Sequence, residues 1–299
     1  MKKILLIILI FDLLTACSTK HDTINITEVF VTGGNTTIGN DIDCSIYQTT
    51  IPDLYVSTYE LTWDTMTKLL NIAISKKYVK IENNKIIPLI GLFPQYNNVI
   101  LEIDKNSNFL KVNSKNQIEC KISSLNKPAS NISWYGMALL CNVLSETNRY
   151  KPCYDLQSWE VIDKTNGYRM PTFEEWEFLA RGGNKSKSYK FSGSNKAQDV
   201  GWFAINSNNE IHPVGLLQAN EIGLYDMSGN VNEFCTETYK PIITSGRTIK
   251  SELKTSNRIW RGGSFLSDTF DTYYYRQNIN NPEYYFPFKD VGLRTVRRK

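Results

Sequence analysis

Histidine is nearly missing from this sequence: there are two, His21 and His212. That is too few for a three-histidine metal centre. Cysteine is sparse, and no pair is spaced as CxxC, which excludes a zinc ribbon and a thioredoxin-type dithiol. No segment has the pattern of a nucleophile elbow or a phosphate-cradling loop. Beyond the first residues, no stretch is long and apolar enough to cross a bilayer. The formal net charge of +4 over 299 residues is not the footprint of a nucleic-acid binder, so no nucleic-acid partner is expected. No internal repeat is present.

What is there begins with an export signal. Lys2 and Lys3 form a positive n-region, and Ile4 to Leu14 an apolar run interrupted by Asp12. The run is shorter than the roughly 20 residues a membrane span needs and suits a signal peptide. Leu14-Thr15-Ala16-Cys17 resembles the bacterial lipobox, in which the peptidase cuts before the cysteine and its thiol carries a diacylglycerol. One chain anchors marginally, at about 0.8 kcal/mol per buried methylene, so stable attachment takes several. The reading is therefore a signal peptide at 1–16 and a lipidated tether at 17–27, with Cys17 the lipidation site and the membrane its partner. Ser18 lacks the aspartate associated with inner-membrane retention, which favours the outer membrane or the cell surface within the envelope.

Cys44, Cys120, Cys141, Cys153 and Cys235 follow, an odd set whose connectivity the sequence leaves open. Val29–Val31 and Asp53–Tyr59 read as strands, with a turn at Gly33-Gly34. Thr62 is placed to cap a helix bearing Met66, Leu69, Leu70 and Ala73 on one face. Residues 76–127, rich in Lys, Asn and Ile, read as an inserted hairpin or excursion. Ser133 can cap a helix whose stripe is Trp134, Met137, Ala138, Cys141 and Leu144. Thr172 and Glu175 form a capping box after Pro171, and Gly182-Gly183 ends that helix. Glu174, Glu175 and Glu177 followed by Arg181 read as a helix-dipole arrangement. Past Gly183 regular periodicity fades.

Four ordered segments then carry a resemblance. They are Gly167 to Glu177 (GYRMPTFEEWE), Gly223 to Phe234 (GLYDMSGNVNEF) with Asn220 before it, Arg261 to Phe265 (RGGSF), and Val291 to Arg294 (VGLR). Together, with weaker matches at Tyr59–Thr62 and Ile132–Trp134, they resemble the formylglycine-generating enzyme, or sulfatase-modifying factor, family over residues 28–299. The resemblance implies an α+β fold, a formylglycine-generating-enzyme-like variant of the C-type lectin fold with much irregular structure. It also implies structural calcium, held by the side chains of Asp226 and Glu233 and the backbone oxygens of Gly229 and Val231, a hard-oxygen set of the kind calcium takes. The family usually has Trp where this chain has Asn232 and Phe234. Asp199-Val200 and Asn206 lie in the region of a second family calcium site without a convincing match.

The enzymes of the family oxidise a sulfatase cysteine with copper held by two cysteines shortly after the Gly-Gly-Ser motif. Soft thiolates select Cu(I), and hydroxyls do not replace them. Here those positions are Ser267 and Thr272, so copper is not expected and formylglycine generation or another metal-dependent oxidation is the alternative. The iron-dependent branch needs three histidines, and His212 is expected to be structural. What remains is a surface binding or scaffold module, whose ligand would be a protein or a glycan. A ligand-binding face is expected in the segment after the Gly-Gly-Ser motif, at Tyr273, Tyr274, Tyr275, Tyr284 and Tyr285, among Phe and Asn residues. Tyr and Asn give contact area and adaptable hydrogen bonds at low entropic cost. The segment also resembles the variable region of lectin-fold lipoproteins diversified by retroelements.

Overall fold

The computed structural model describes residues 23–40, 44–91, 99–103, 108–238, 258–269, 278–279 and 288–299. Strand β1 (Glu28–Val31) starts the body, and the hairpin of β2 (Gly34–Asn40) and β3 (Cys44–Ile51) leads to β4 (Leu54–Ser57). Helix α1 (Trp63–Ser75) follows, then β5 (Val79–Glu82), β6 (Lys85–Pro88), β7 (Leu101–Glu102), β8 (Leu110–Val112) and β9 (Ile118–Cys120). Helices α2 (Trp134–Thr147), α3 (Phe173–Ala180) and the single turn α4 (Ala197–Val200) come next. The chain ends through β10 (Asn232–Thr238), β11 (Arg258–Arg261), β12 (Asn278–Ile279), β13 (Val291–Gly292) and β14 (Val296–Arg298).

The first and last strands of the described residues meet. Strand β4 lies between β1 and β14, antiparallel to both, so the first and last strands share one sheet. A second sheet runs β12-β11-β10-β13, with the parallel pair Asn232↔Val291 and Glu233↔Gly292 joining motifs far apart in sequence. That parallel contact places the loop before β10 beside the loop before β13.

The helices form as their local chemistry dictates. In α3 the Thr172 hydroxyl accepts from Glu175 N–H while the Glu175 carboxylate accepts from Thr172 N–H, the reciprocal capping box. Ser133 Oγ accepts from Gly136 N–H at 3.2 Å and starts α2, whose residues are buried nearly all round from Trp134 to Ser145. An all-round apolar helix belongs at the centre of a core, and α2 packs against α1 there. Thr62 precedes α1 as expected but contributes no side-chain cap; its backbone instead bridges to Pro128.

Two boundaries differ from the sequence reading. The stretch 76–127 is more than one hairpin: β5-β6-β7 form one small sheet and β8-β9 another. Asn71 on α1 holds β9 by a reciprocal pair with Ile118, its Oδ1 accepting from Ile118 N–H at 2.9 Å and its Nδ2 donating to Ile118 carbonyl at 2.8 Å. The end of the expected tether is docked as well. Ile24 is buried in the main core, and its backbone exchanges two hydrogen bonds with the Asn148 side chain, at 2.9 and 2.8 Å. An apolar side chain and an amide clamp explain why the body starts before Glu28.

Candidate functional site

Three loops converge beside the start of β10. The first, 226–231, is held open by left-handed backbone at Asp226 (φ 57°), Gly229 (φ 82°) and Asn230 (φ 59°). At Gly229 an added Cβ would meet the Trp202 carbonyl oxygen at 2.5 Å, so the glycine is required by space as well as by φ. The second, 262–267, is tied to the first by Gly229 N–H to Gly262 carbonyl (2.9 Å) and Phe265 N–H to Asn230 carbonyl (2.8 Å). The third carries Asp290, whose carbonyl accepts from Asn232 N–H at 2.8 Å.

Where these loops meet, a hydroxyl–carboxylate–amide cluster forms. Ser264 Oγ donates to Asp290 Oδ2 at 2.8 Å, and Asn232 Nδ2 donates to the same oxygen at 3.3 Å. Ser267 Oγ accepts from Ser264 N–H at 3.0 Å and lies 3.3 Å from Ser264 Oγ. Asn232 is buried, and its Oδ1 has no hydrogen-bond partner among the described residues. Ser267 was expected here; Asp290 was not singled out in the sequence, and its partners lie 26 and 58 positions away. Thr272 and the five tyrosines Tyr273, Tyr274, Tyr275, Tyr284 and Tyr285 lie outside the described residues, as does Cys17.

Directly beneath sits a buried carboxylate group. Glu233 is fully buried, and both its oxygens are engaged. Arg294 donates Nη2 to Oε1 at 2.8 Å and Nε to both oxygens at 3.1 and 3.2 Å, while Trp176 Nε1 donates to Oε2 at 2.7 Å. Arg294 spends its other donors on the Ser57 and Tyr225 carbonyls. Glu60, whose role the sequence did not reveal, accepts from Asn230 Nδ2 at 2.8 Å and Val231 N–H at 3.0 Å. Burial pushes the Glu60 carboxyl well above the ordinary range, helped by the charges of Asp226 and Glu233 and opposed by Arg294. Asp226 is likewise buried and pushed up to about 6 by desolvation, against the pull of the Gly215 N–H and Arg294.

These placements bear on the expected calcium ligands. Asp226 Oδ2 accepts from Gly215 N–H at 2.7 Å, but its Oδ1 is buried without a partner among the described residues. Three carboxylates face one guanidinium, so the group holds excess negative charge when ionised. A hard cation suits the Asp226 end. The Glu233 end is filled, because a guanidinium and an indole N–H already occupy its lone pairs. Among the described residues, no three His, Cys, Asp or Glu side chains converge on one ligand position.

The remaining motif charges are internal struts. Arg169 grips Glu175 with two bonds of 2.6 and 2.7 Å, both side chains almost wholly buried. Burial alone would raise the Glu175 carboxyl, yet Arg169 outweighs it and holds the group below the ordinary range. Glu177 is buried between Arg261 and Arg181 and also accepts from Gly39 N–H. The acid run of α3 therefore ties the helix to its neighbours, beyond any dipole effect. His212 stacks on Trp202 with centroids 3.8 Å apart, its Nε2 bonded to the Ser207 carbonyl, a packing role as expected. Cys120, Cys141 and Cys153 are free thiols; Cys141, Cys153 and Cys235 are buried.

Comparison with known proteins agrees with the motifs. A family model described as "Sulfatase-modifying factor enzyme 1-like domain" matches residues 15–299. The "Chaperone protein LppX" of Paenibacillus barcinonensis is 32% identical over 215 residues, covering 58% of this chain and 70% of that one. The "Inactive C-alpha-formylglycine-generating enzyme 2" of Mus musculus is 36% identical over 121 residues, 35% of this chain; the match spans only 33% of the mouse protein. Among solved structures, Treponema denticola variable protein 1 superimposes with a TM-score of 0.67 at 20% identity, covering 92% of this chain and 95% of the other, which places the fold.

Proposed function

We propose that this chain, which belongs to the sulfatase-modifying factor enzyme 1-like family, is a non-catalytic, envelope-anchored module that binds a partner instead of oxidising a substrate cysteine. The observation that carries this reading is the Ser267 hydroxyl. At the position where the family's oxidases are expected to bring a copper thiolate, this chain brings an alcohol already bonded to the Ser264 backbone within a network closed by Asp290. An alcohol is neither a soft ligand nor a thiolate, so the residue cannot take Cu(I) as cysteine does.

Two relatives support a role of this kind by name alone, one called a chaperone and one called inactive. Anchoring rests on the Lys2-Lys3 start and the lipobox-like Leu14–Cys17, with Cys17 carrying the lipid and an outer-membrane or surface location following from Ser18. The Tyr- and Asn-rich segment around Tyr273–Tyr275 and Tyr284-Tyr285 is the proposed contact face for a protein or glycan. Calcium is proposed at Asp226, with its unpartnered Oδ1 as the first oxygen and the carbonyls of Gly229 and Val231 nearby in sequence; its contribution would be structural.

The experiment is a turnover test. The purified protein is loaded with Cu(I) and incubated in air with a cysteine peptide from a sulfatase, and aldehyde is assayed by hydrazide capture. No aldehyde above the copper-only control is expected. Aldehyde forming in proportion to protein would overturn the non-catalytic reading.

A further inference from the structure

A cavity of about 280 Å³ opens where the inserted strands meet the body of the domain. One wall comes from the insert, through Leu101 on β7 and Phe109 before β8; the other comes from Trp63 at the start of α1 and the bend at Asn131. Trp63 and Phe109 stack with ring centroids 5.7 Å apart and planes 27° apart, presenting aromatic surface to the space. Trp63 is buried and its indole N–H has no hydrogen-bond partner among the described residues. The rim is firmly built: Ser130 Oγ donates to the Lys289 carbonyl at 2.8 Å, and Asn131 N–H donates to the Phe288 carbonyl at 2.9 Å.

Charge at the rim is unequal. The Lys289 side chain is exposed and has no ion partner among the described residues. Glu102 lies on the same rim, but Lys85 approaches its carboxylate at 3.9 Å and offsets it. Among the described residues one positive charge is left over, above a floor of aromatic and aliphatic carbon. Small-ligand sites have this composition: mostly apolar walls with a few polar groups that fix orientation.

We infer that this cleft binds a small carboxylate with an apolar, ring-sized body, the ring lying against Trp63 and Phe109 and the carboxylate meeting Lys289. The inference does not rest on the non-catalytic reading, because no atom of the Ser264–Asp290 cluster lines the cavity.

The test is fluorine NMR on the purified protein labelled with fluorotryptophan, the Trp63 resonance being assigned with Trp63→Phe. Hydrocinnamate is the probe, with hydrocinnamyl alcohol and hydrocinnamylamine as the uncharged and cationic forms of the same body. Hydrocinnamate is expected to move the Trp63 signal saturably within about 10 mM, the range open to a ligand of this size. Binding should weaken about fivefold for the alcohol, the effect of one exposed charge, and by more than that for Lys289→Glu, which turns the attraction into repulsion. Leu101→Trp, which fills the space, should abolish the shift; Lys289→Glu, on the surface, keeps the proposal testable if that variant does not fold. No saturable shift at Trp63 would overturn the site. Equal binding of acid and alcohol, or preference for the amine, would overturn the ligand class, as would unchanged binding in Lys289→Glu.

Discussion

Removing Arg294 should be among the most damaging single changes in the protein. Its guanidinium is wholly buried and makes five donor contacts to Glu233, Ser57 and Tyr225. Arg294→Met keeps much of the volume but leaves Glu233 without a counter-charge, beside Glu60 and Asp226, both already held above the ordinary carboxylate range. Breaking a buried pair by removing one partner costs roughly 3–5 kcal/mol. For a chain of this size about 2–4 °C are lost per kcal/mol, so a fall near 10 °C in Tm is expected. The assay is thermal unfolding followed by circular dichroism, in EGTA so that no divalent ion takes up the freed carboxylate. The companion is Arg294→Met with Glu233→Met. Deleting both charges removes the orphan, so the double variant should be more stable than the single one. A Tm within about 2 °C of the parent for Arg294→Met, less than 1 kcal/mol at this size, would refute the reasoning. So would a double variant no better than the single.

Other consequences follow from the same geometry. Glu175→Gln should cost about 3 kcal/mol at neutral pH by loosening the buried pair with Arg169. Because the native Glu175 carboxyl is held below its unfolded value, the pair's contribution is present above about pH 4.3 and is lost as pH falls further. The deficit of Glu175→Gln in urea melts should therefore shrink on acidification below that point; a deficit constant with pH would contradict the assignment. Thr172→Ala removes one side of the capping box and should cost about 1 kcal/mol, read as a lower urea midpoint with unchanged slope. Calcium should raise the Tm of the parent protein and leave Asp226→Asn unmoved, whereas equal shifts in both would exclude Asp226 as a ligand. Cys17→Ser should abolish incorporation of an alkyne fatty acid and release the protein from the membrane fraction; continued labelling would move the anchor elsewhere.

What could be read from the sequence was what is settled within a few residues. The Thr172–Glu175 capping box and the Ser133 start of α2 are local bargains between a side chain and the next turn, and both formed as expected. The insert resisted reading because its strands are two to four residues long and β6 pairs with β7 across 12 intervening positions, a length at which periodicity carries no signal. The site was legible only in part. Asp226 and Glu233 stand inside a recognisable motif and Ser267 shortly after one, but Glu60 meets Asn230 and Val231 across 170 and 171 positions. Asp290 was hidden in the same way, since its meaning depends on the parallel pairing of β10 with β13. Arg294 occupies a motif too, yet only the fold shows that its charge is spent on Glu233, the residue expected to hold calcium.

Copper content decides the central claim most directly. The purified protein, exposed to excess Cu(I) under reducing conditions and then desalted, can be analysed for metal by mass spectrometry alongside Ser267→Cys. With a hydroxyl bonded to the Ser264 backbone at the critical position, the parent should retain copper far below one atom per chain. One tightly held copper per chain in the parent protein would contradict the account and restore an oxidase reading.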